Sequence, residues 1–502
     1  MSHRITLTAV AALLCSPAFA DITADDVWAN TVAFYAATGG ALTADRQRDG
    51  DTVFVNDMRL DYTLPFDFVS VRVSLPPMTW IDQPDGTVTM IYPKSIEYGI
   101  AVKFDDEELS SFGGTISINH QGFRGTASGT PGAVTYVQTG DAYTIDGGVT
   151  FNTAFDDFGF SLAGSGEGFS TTMTLTEGDL ILIEGTGTIL PSDMTMETNK
   201  GFGVRSVDSY QMGASTISFR DAIPAEGVDL LNIAPALRAG MFFEVASSSD
   251  GSASESLFYL DDDVQSATRM ISGKTETSLS LSEKGLSIAG SHSDIFASFD
   301  ATNLVGIAGS GRMDTVSANI QLPLLASNEP QRARYQIGID GLTLDDATWN
   351  LLDPERVLPR DAAEMNIDLG ASVTLYIELL DFLNLESAFT RGDLPVVVTD
   401  ITVDAFSFEG AGARVSSTGT FSVDYSEFPD DPIPSGNAAV TIDGAHTLLD
   451  NLIALGVLQP DDAFAARISL GMFTRDDGNG TLTSNLEING VDDIRVNGER
   501  VK

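Results

Sequence analysis

From residue 52 to about residue 189 the chain alternates apolar and polar residues with a period of two. An alternation sustained for that long commits a chain to β-sheet. The clearest runs are 52–55, 69–75, 87–91, 115–118 and 173–175, separated by turn signals such as Asp85-Gly86, Gly113-Gly114 and Gly147-Gly148. With 48 glycines and few long helical patterns, a large antiparallel sheet system is the economical account. The expected fold class is mainly β (α+β): two related antiparallel sheet units, a few helices and a C-terminal α+β module.

Helical periodicity interrupts this pattern in a few places. Residues 25–37 read as a first helix, with Thr23 as N-cap, Asp25 and Asp26 at its positive end and Gly39-Gly40 after it. Further helices are expected over 228–239, 375–385 and 446–455, the last stopped by Gly456, and from Pro460 onward. Residues 396–423 read as three strands broken at 410–412 and at Gly419, and Pro429, Pro432 and Pro434 as a rigid linker.

Residues 115–128 resemble 278–291: an alternating strand, a turn ending in glycine (Gly122, Gly285) and a second strand, offset by 285 − 122 = 163 positions. We read this as a weak internal repeat. The division expected is a signal segment at 1–20, β-rich units at 21–223 and 224–330, a third β-rich segment at 331–434, and a strand-helix-helix-strand module at 435–502. A chain of 502 residues has length for several cores.

The first twenty residues read as a cleavable secretory signal: His3 and Arg4, an apolar stretch over 5–14, and the small-residue motif 18–20, which predicts cleavage between Ala20 and Asp21. Cys15 is the one cysteine. Leu14 before it is not the small residue a lipoprotein signal wants, and cleavage leaves no thiol or disulfide chemistry. No later stretch has the ~18 apolar residues of a membrane span. The expected address is the periplasm. The formal charge is −44 (27 − 71), and −45 once Arg4 is removed (26 − 71). Such a surface repels nucleic acid and anionic headgroups.

Catalytic signatures are scarce. His120, His292 and His446 have no partner at ligand spacing. The approximate Gly-x-Ser-x-Gly patterns at 159–163 and 285–289 lie in alternating strand sequence, where the serine is not presented on a strand-turn-helix elbow. The glycine cluster 164–168 precedes a strand rather than a phosphate-binding helix. Of the acidic groups 105–108, 261–263 and 476–480, the last begins like a calcium loop, but the twelfth position counted from Asp477 is Ile488 and not the acid such a loop needs. No catalytic residue, metal ligand or cofactor is therefore nominated.

The conspicuous polar motif is Asp353-Pro354 followed by Leu358-Pro359-Arg360-Asp361. Its structural reading is a helix stop and a stiffened turn, with Arg360 pairing an acid or capping carbonyls. Its functional reading makes Arg360 the candidate binding residue, for an anionic headgroup or carboxylate. Aromatic residues recur along the strands at Phe54, Tyr62, Phe66, Phe68, Phe151, Phe155, Phe158 and Phe160. Most serve a core, and a curled sheet could also present them to an acyl chain.

The ordered set Trp349, Asp353-Pro354, 358–361, 410–413, 419–421, 448–450, Leu455-Gly456 and Asn497-Gly498 resembles the alphaproteobacterial family of domain of unknown function 2125. The signal segment and Val27-Trp28 extend the resemblance to nearly the full length, with Ala362 departing from an expected proline. The resemblance implies an exported protein of unknown activity. The functional expectation is a non-catalytic periplasmic protein binding a lipid-like amphiphile or an envelope component. The alternatives are an envelope scaffold docking a protein partner and, third, a carboxylate-based hydrolase.

Overall fold

The computed structural model describes residues 21–63, 69–104, 112–151, 158–392, 395–425 and 432–502. The expected signal segment, the acidic group at 105–108, and Phe66, Phe68, Phe155 and Pro429 lie outside them. Strands take 62% of the chain and helices 14%, the mainly β class that the alternation implies.

One antiparallel ladder sequence closes on itself as a twenty-strand barrel. The barrel is two interleaved walls. One wall holds the hairpins Ser95–Phe104/Phe112–His120, Tyr143–Phe151/Gly159–Gly166, Ser192–Asn199/Val204–Met212 and Ser252–Leu260/Asp263–Ser272. The other holds Arg124–Thr130/Ala133–Gly140, Phe169–Thr176/Leu180–Ile189 and Ser215–Pro224/Phe242–Ser249. The chain builds them alternately, so each wall is hydrogen-bonded between hairpins that are distant in sequence: Gly166 pairs with Ser192, and Gly140 with Phe169.

Crossings from wall to wall are short and all fall on one side, the seam. His120 to Arg124, Gly140 to Tyr143 and Gly166 to Phe169 are examples. The hairpin turns form the opposite side, the rim. Two long strands close the ring by spanning both walls. Thr52–Thr63 pairs with Met78–Asp82 through its first half and Val69–Ser74 through its second, bending at Asp57 (φ +49°). Gly285–Ala301 pairs likewise with Thr275–Ser282 and Asp263–Ser272, bending at Asp294 (φ +51°). From there an open sheet of long strands continues through Ile307–Leu322, Gln331–Leu344, Ala363–Leu375, Val396–Gly410, Ala413–Asp424, Ile433–Asp443 and Leu482–Asn489.

Seven helices are described: α1 (Ala24–Ala37), α2 (Ala234–Arg238), α3 (Thr302–Val305), α4 (Asp346–Leu352), α5 (Phe382–Arg391), α6 (Ala445–Ala454) and α7 (Pro460–Phe473). Thr23 caps α1 as expected, in a reciprocal box with Asp26. Two helix expectations need correction. Over 228–239 only α2 is helical, because the preceding turn is held by the Leu380 carbonyl through the Ile233 N–H. Over 375–385, Leu375 ends a strand and pairs with Val396, and α5 begins after Asp381, whose side chain accepts from the Asn384 N–H.

Strand expectations in the C-terminal half also change. Residues 396–423 form two strands and not three: Gly419 lies inside Ala413–Asp424 because a Cβ there would stand 2.9 Å from the Asn437 carbonyl oxygen. Pro432 and Pro434 stand at the entry of Ile433–Asp443, which pairs directly with Ala413–Asp424, so they join neighbouring strands of one sheet. Ile223 and Pro224 end the strand Ser215–Pro224 at the rim, and that strand pairs with Phe242–Ser249. Finally, 115–128 and 278–291 are not equivalent. The first crosses the seam between walls, whereas Thr275–Ser282 and Gly285–Ala301 pair as a true hairpin.

Candidate ligand site: an apolar trough roofed at one end

Directly opposed residues of an antiparallel pair point to the same face, so the register lists the faces row by row. Around one wall the inner row runs Ile145, Gly164, Met194, Tyr210, Ser254 and Met270. On the other it runs Phe219, Val245, Leu279 and Ile288. This row does not stop at the barrel. Ile288 opposes Ile320, then come Tyr335, Leu369 and Val403 across the open sheet. The outer rows are polar: Asn119, Thr144, Ser165, Asp193 and Gln211 on one wall, Thr188, Thr216, Ser248 and Glu276 on the other. A membrane-spanning barrel has the reverse arrangement, apolar outside and polar within. No helix among the described residues is long and apolar enough to cross a membrane.

The inner face is packed at one end and open along the rest. At the first end α1 spans the mouth from rim to rim. The Ala24 N–H donates to Asp82 at 2.6 Å and the Ile22 N–H to the Gly86 carbonyl on one wall, while Thr38 meets the Tyr62 hydroxyl of the closing strand at 3.3 Å. Arg48 pairs with both Asp25 (2.8 Å) and Asp82 (2.7 Å), fastening the start of the helix. Val27 and Ala24 join Val53, Val55, Trp80, Val88 and Val134 in the main buried core.

Beneath α1 is a chamber of about 290 Å³. Val27, Phe34 and Tyr35 form its roof, Met58, Pro76 and Phe123 its seam side, and Trp80, Met90, Tyr98, Tyr136 and Met173 its walls. Tyr92 stacks on Phe123 with centroids 4.0 Å apart. The polar atoms around it are mostly paired. The Tyr136 hydroxyl donates to Asn30 (2.8 Å), Asn30 donates to Glu177 (2.8 Å), and Gln138 donates to the Tyr92 hydroxyl (2.9 Å). Trp80 is 3% exposed, yet its indole Nε1 has no acceptor among the described residues. Burial pushes the Tyr35, Tyr92, Tyr98 and Tyr136 phenols above their ordinary range, as expected where a charged form is poorly solvated.

Beyond the chamber the inner face carries large apolar side chains that the described residues leave partly exposed. Met212 is 43% exposed, Met270 and Ile288 41%, and Tyr335 40%. Tyr335 stands between Arg334 and Gln336, whereas Met212, Met270 and Ile288 each have a polar residue on one side alone (Gln211, Arg269 and Ser287), so the alternation that would locate them in the sequence is incomplete.

Arg360 lies away from the trough, in the loop after α4. Its Nη2 donates to the Asp353 carbonyl at 2.8 Å, its Nη1 is 3.6 Å from Asp346, and its guanidinium stands 5.3 Å from the Trp349 ring. Asp353 is wholly buried, and its carboxylate accepts from the Val357 and Leu358 amides at 2.8 and 3.0 Å. Burial alone would push that carboxyl up; the two amides and Arg360 outweigh it and hold it below the usual carboxylate range.

The remaining expected positions are scattered. His120 contacts the Pro93 carbonyl, and His292 meets Thr275. Ser161 and Ser287 are strand residues, and 164–168 is the end of a strand followed by a seam crossing at 167–168. Of the aromatic set, Tyr62 and Phe160 stand on the inner face, while Phe54 points outward. Among the described residues no three acidic, histidine or cysteine side chains gather as a metal site.

Fold and site together define a flattened β-barrel with an apolar interior that runs out onto an open sheet. Residues 258–490 match a family described as an uncharacterized protein conserved in bacteria, DUF2125, so that this stretch of the chain is similar to that family. The match is narrower than the nearly full-length resemblance expected: α1 and the chamber lie outside it. No curated protein matches the chain.

Proposed function

We propose that the protein is exported to the periplasm and carries an amphiphile whose acyl chain lies along the trough. The observation that supports this reading best is the inner row that runs from Tyr136 and Met173 under α1 through Phe219, Val245, Leu279 and Ile288 onto the open sheet, with the exposed Met212 and Met270 on the facing wall. A row of large apolar side chains left open to water costs free energy, roughly 25 cal/mol per Å² of apolar surface, which an acyl chain would relieve. A closed ring of strands offers no free edge inside for a protein strand to join, whereas a long thin apolar molecule fits between the walls. The scaffold reading has no comparable observation within the barrel.

The test is native mass spectrometry of the protein taken from the periplasmic fraction, followed by solvent extraction. A polypeptide mass beginning at Asp21 with a co-purifying amphiphile is the expected result. The Met212→Asp/Met270→Asp double variant should lose at least nine-tenths of that amphiphile, a loss of roughly tenfold in affinity per 1.4 kcal/mol. A bare polypeptide mass, unchanged after incubation with envelope lipids, sinks the reading.

A further inference from the structure

We infer that the chamber beneath α1 is a specific pocket for an uncharged carbonyl-bearing ligand, whose oxygen accepts the hydrogen bond that Trp80 Nε1 lacks. This rests on the trough reading, since the apolar remainder of such a ligand extends between the walls.

Three observations converge. The chamber is real space, about 290 Å³, bounded by side chains from α1, the seam and both walls. Its neighbouring polar groups satisfy one another, through Tyr136 to Asn30 to Glu177 and through Gln138 to Tyr92. Trp80, with its ring 6.3 Å from that of Trp28, is buried with a donor left over. An indole N–H is donor only, and buried donors are ordinarily paired, so the missing partner is an acceptor atom. A carboxylate is the wrong acceptor. No Lys or Arg lines the chamber among the described residues, and the upward shift of its phenols shows how poorly the site supports negative charge. An ester or ketone oxygen on an apolar body suits both the donor and the setting.

The experiment uses the full mature chain equilibrated with methyl decanoate, sodium decanoate or decane, with bound ligand quantified by gas chromatography after gel filtration. The ester should bind more tightly than the carboxylate at pH 8. Trp80→Phe should weaken the ester about five- to tenfold, the worth of one hydrogen bond, and leave decane unchanged. In the wild-type protein the Trp80 indole N–H resonance should move downfield with the ester and stay in place with decane, a readout independent of how the variant folds. Equal ester binding by wild type and Trp80→Phe, with an unmoved resonance, overturns the inference while decane binding leaves the trough standing. Failure of both ester and decane to bind the wild type overturns the trough reading and this inference together.

Discussion

Gly168 stands at a seam crossing with φ +145°, and a Cβ on it would lie 2.6 Å from the Gly140 carbonyl oxygen. Both the backbone conformation and the contact demand glycine, since the Gly140 carbonyl at the end of the neighbouring paired strand has nowhere to retreat. Gly168→Ala should lower stability by about 1–3 kcal/mol in urea unfolding. The glycine was visible in sequence and its role was not, because the carbonyl it accommodates belongs to a strand outside its own hairpin. Trp80 was hidden for the same reason. Nothing in the sequence around Thr79 and Ile81 says that a helix fifty residues earlier covers it, or that its N–H goes unmatched.

At the level of elements, strands were legible wherever one face is buried and the other wet, because alternation encodes that directly. Apolar runs that straddle two elements were not: residues 375–385 hold a strand end, a turn and a helix start, and only Asp381, as a cap, marks the division. The loop between α4 and Ala363–Leu375 is a different case, since its motif was legible as a stop and a stiff turn. The structure makes it a closed knot in which Asp353 holds two amides and Arg360 holds the Asp353 carbonyl. The folded Asp353 carboxyl titrates below its unfolded value of about 3.8. Its contribution is therefore complete above that pH and is lost as pH falls through the lower folded value. Asp353→Asn should lower the melting temperature at pH 7 and make its decline between pH 4 and 2 shallower than in the wild type. Calorimetry across pH 2–7 checks both; parallel curves would mean that the charge is not what holds the knot.

For the whole molecule, the interleaving of walls was the part that sequence could not show. Away from the two closing strands, the strands of each hairpin pair with each other but consecutive hairpins do not, so local pattern carries no trace of which wall a hairpin joins. The repeat that exists is hairpin, crossing, hairpin, crossing. Its seam glycines Gly122 and Gly168 are 168 − 122 = 46 residues apart, a period masked because only alternation and a turn glycine recur. Deleting residues 143–191 removes one such unit and leaves Gly140 and Ser192 separated by a short crossing like the others. The shortened chain should fold, and its maximum dimension in small-angle scattering should fall by about 10 Å, two strand spacings. Collapse to an unfolded chain would show that the unit is not interchangeable.

The alternating crossings thus let the molecule be drawn out like an extruded profile. Each added unit lengthens it by a fixed step and leaves the cross-section, and hence the girth of the apolar interior, unchanged. Length and bore become separate variables: the count of hairpins sets reach, while the residues at the roofed end set the shape of the chamber.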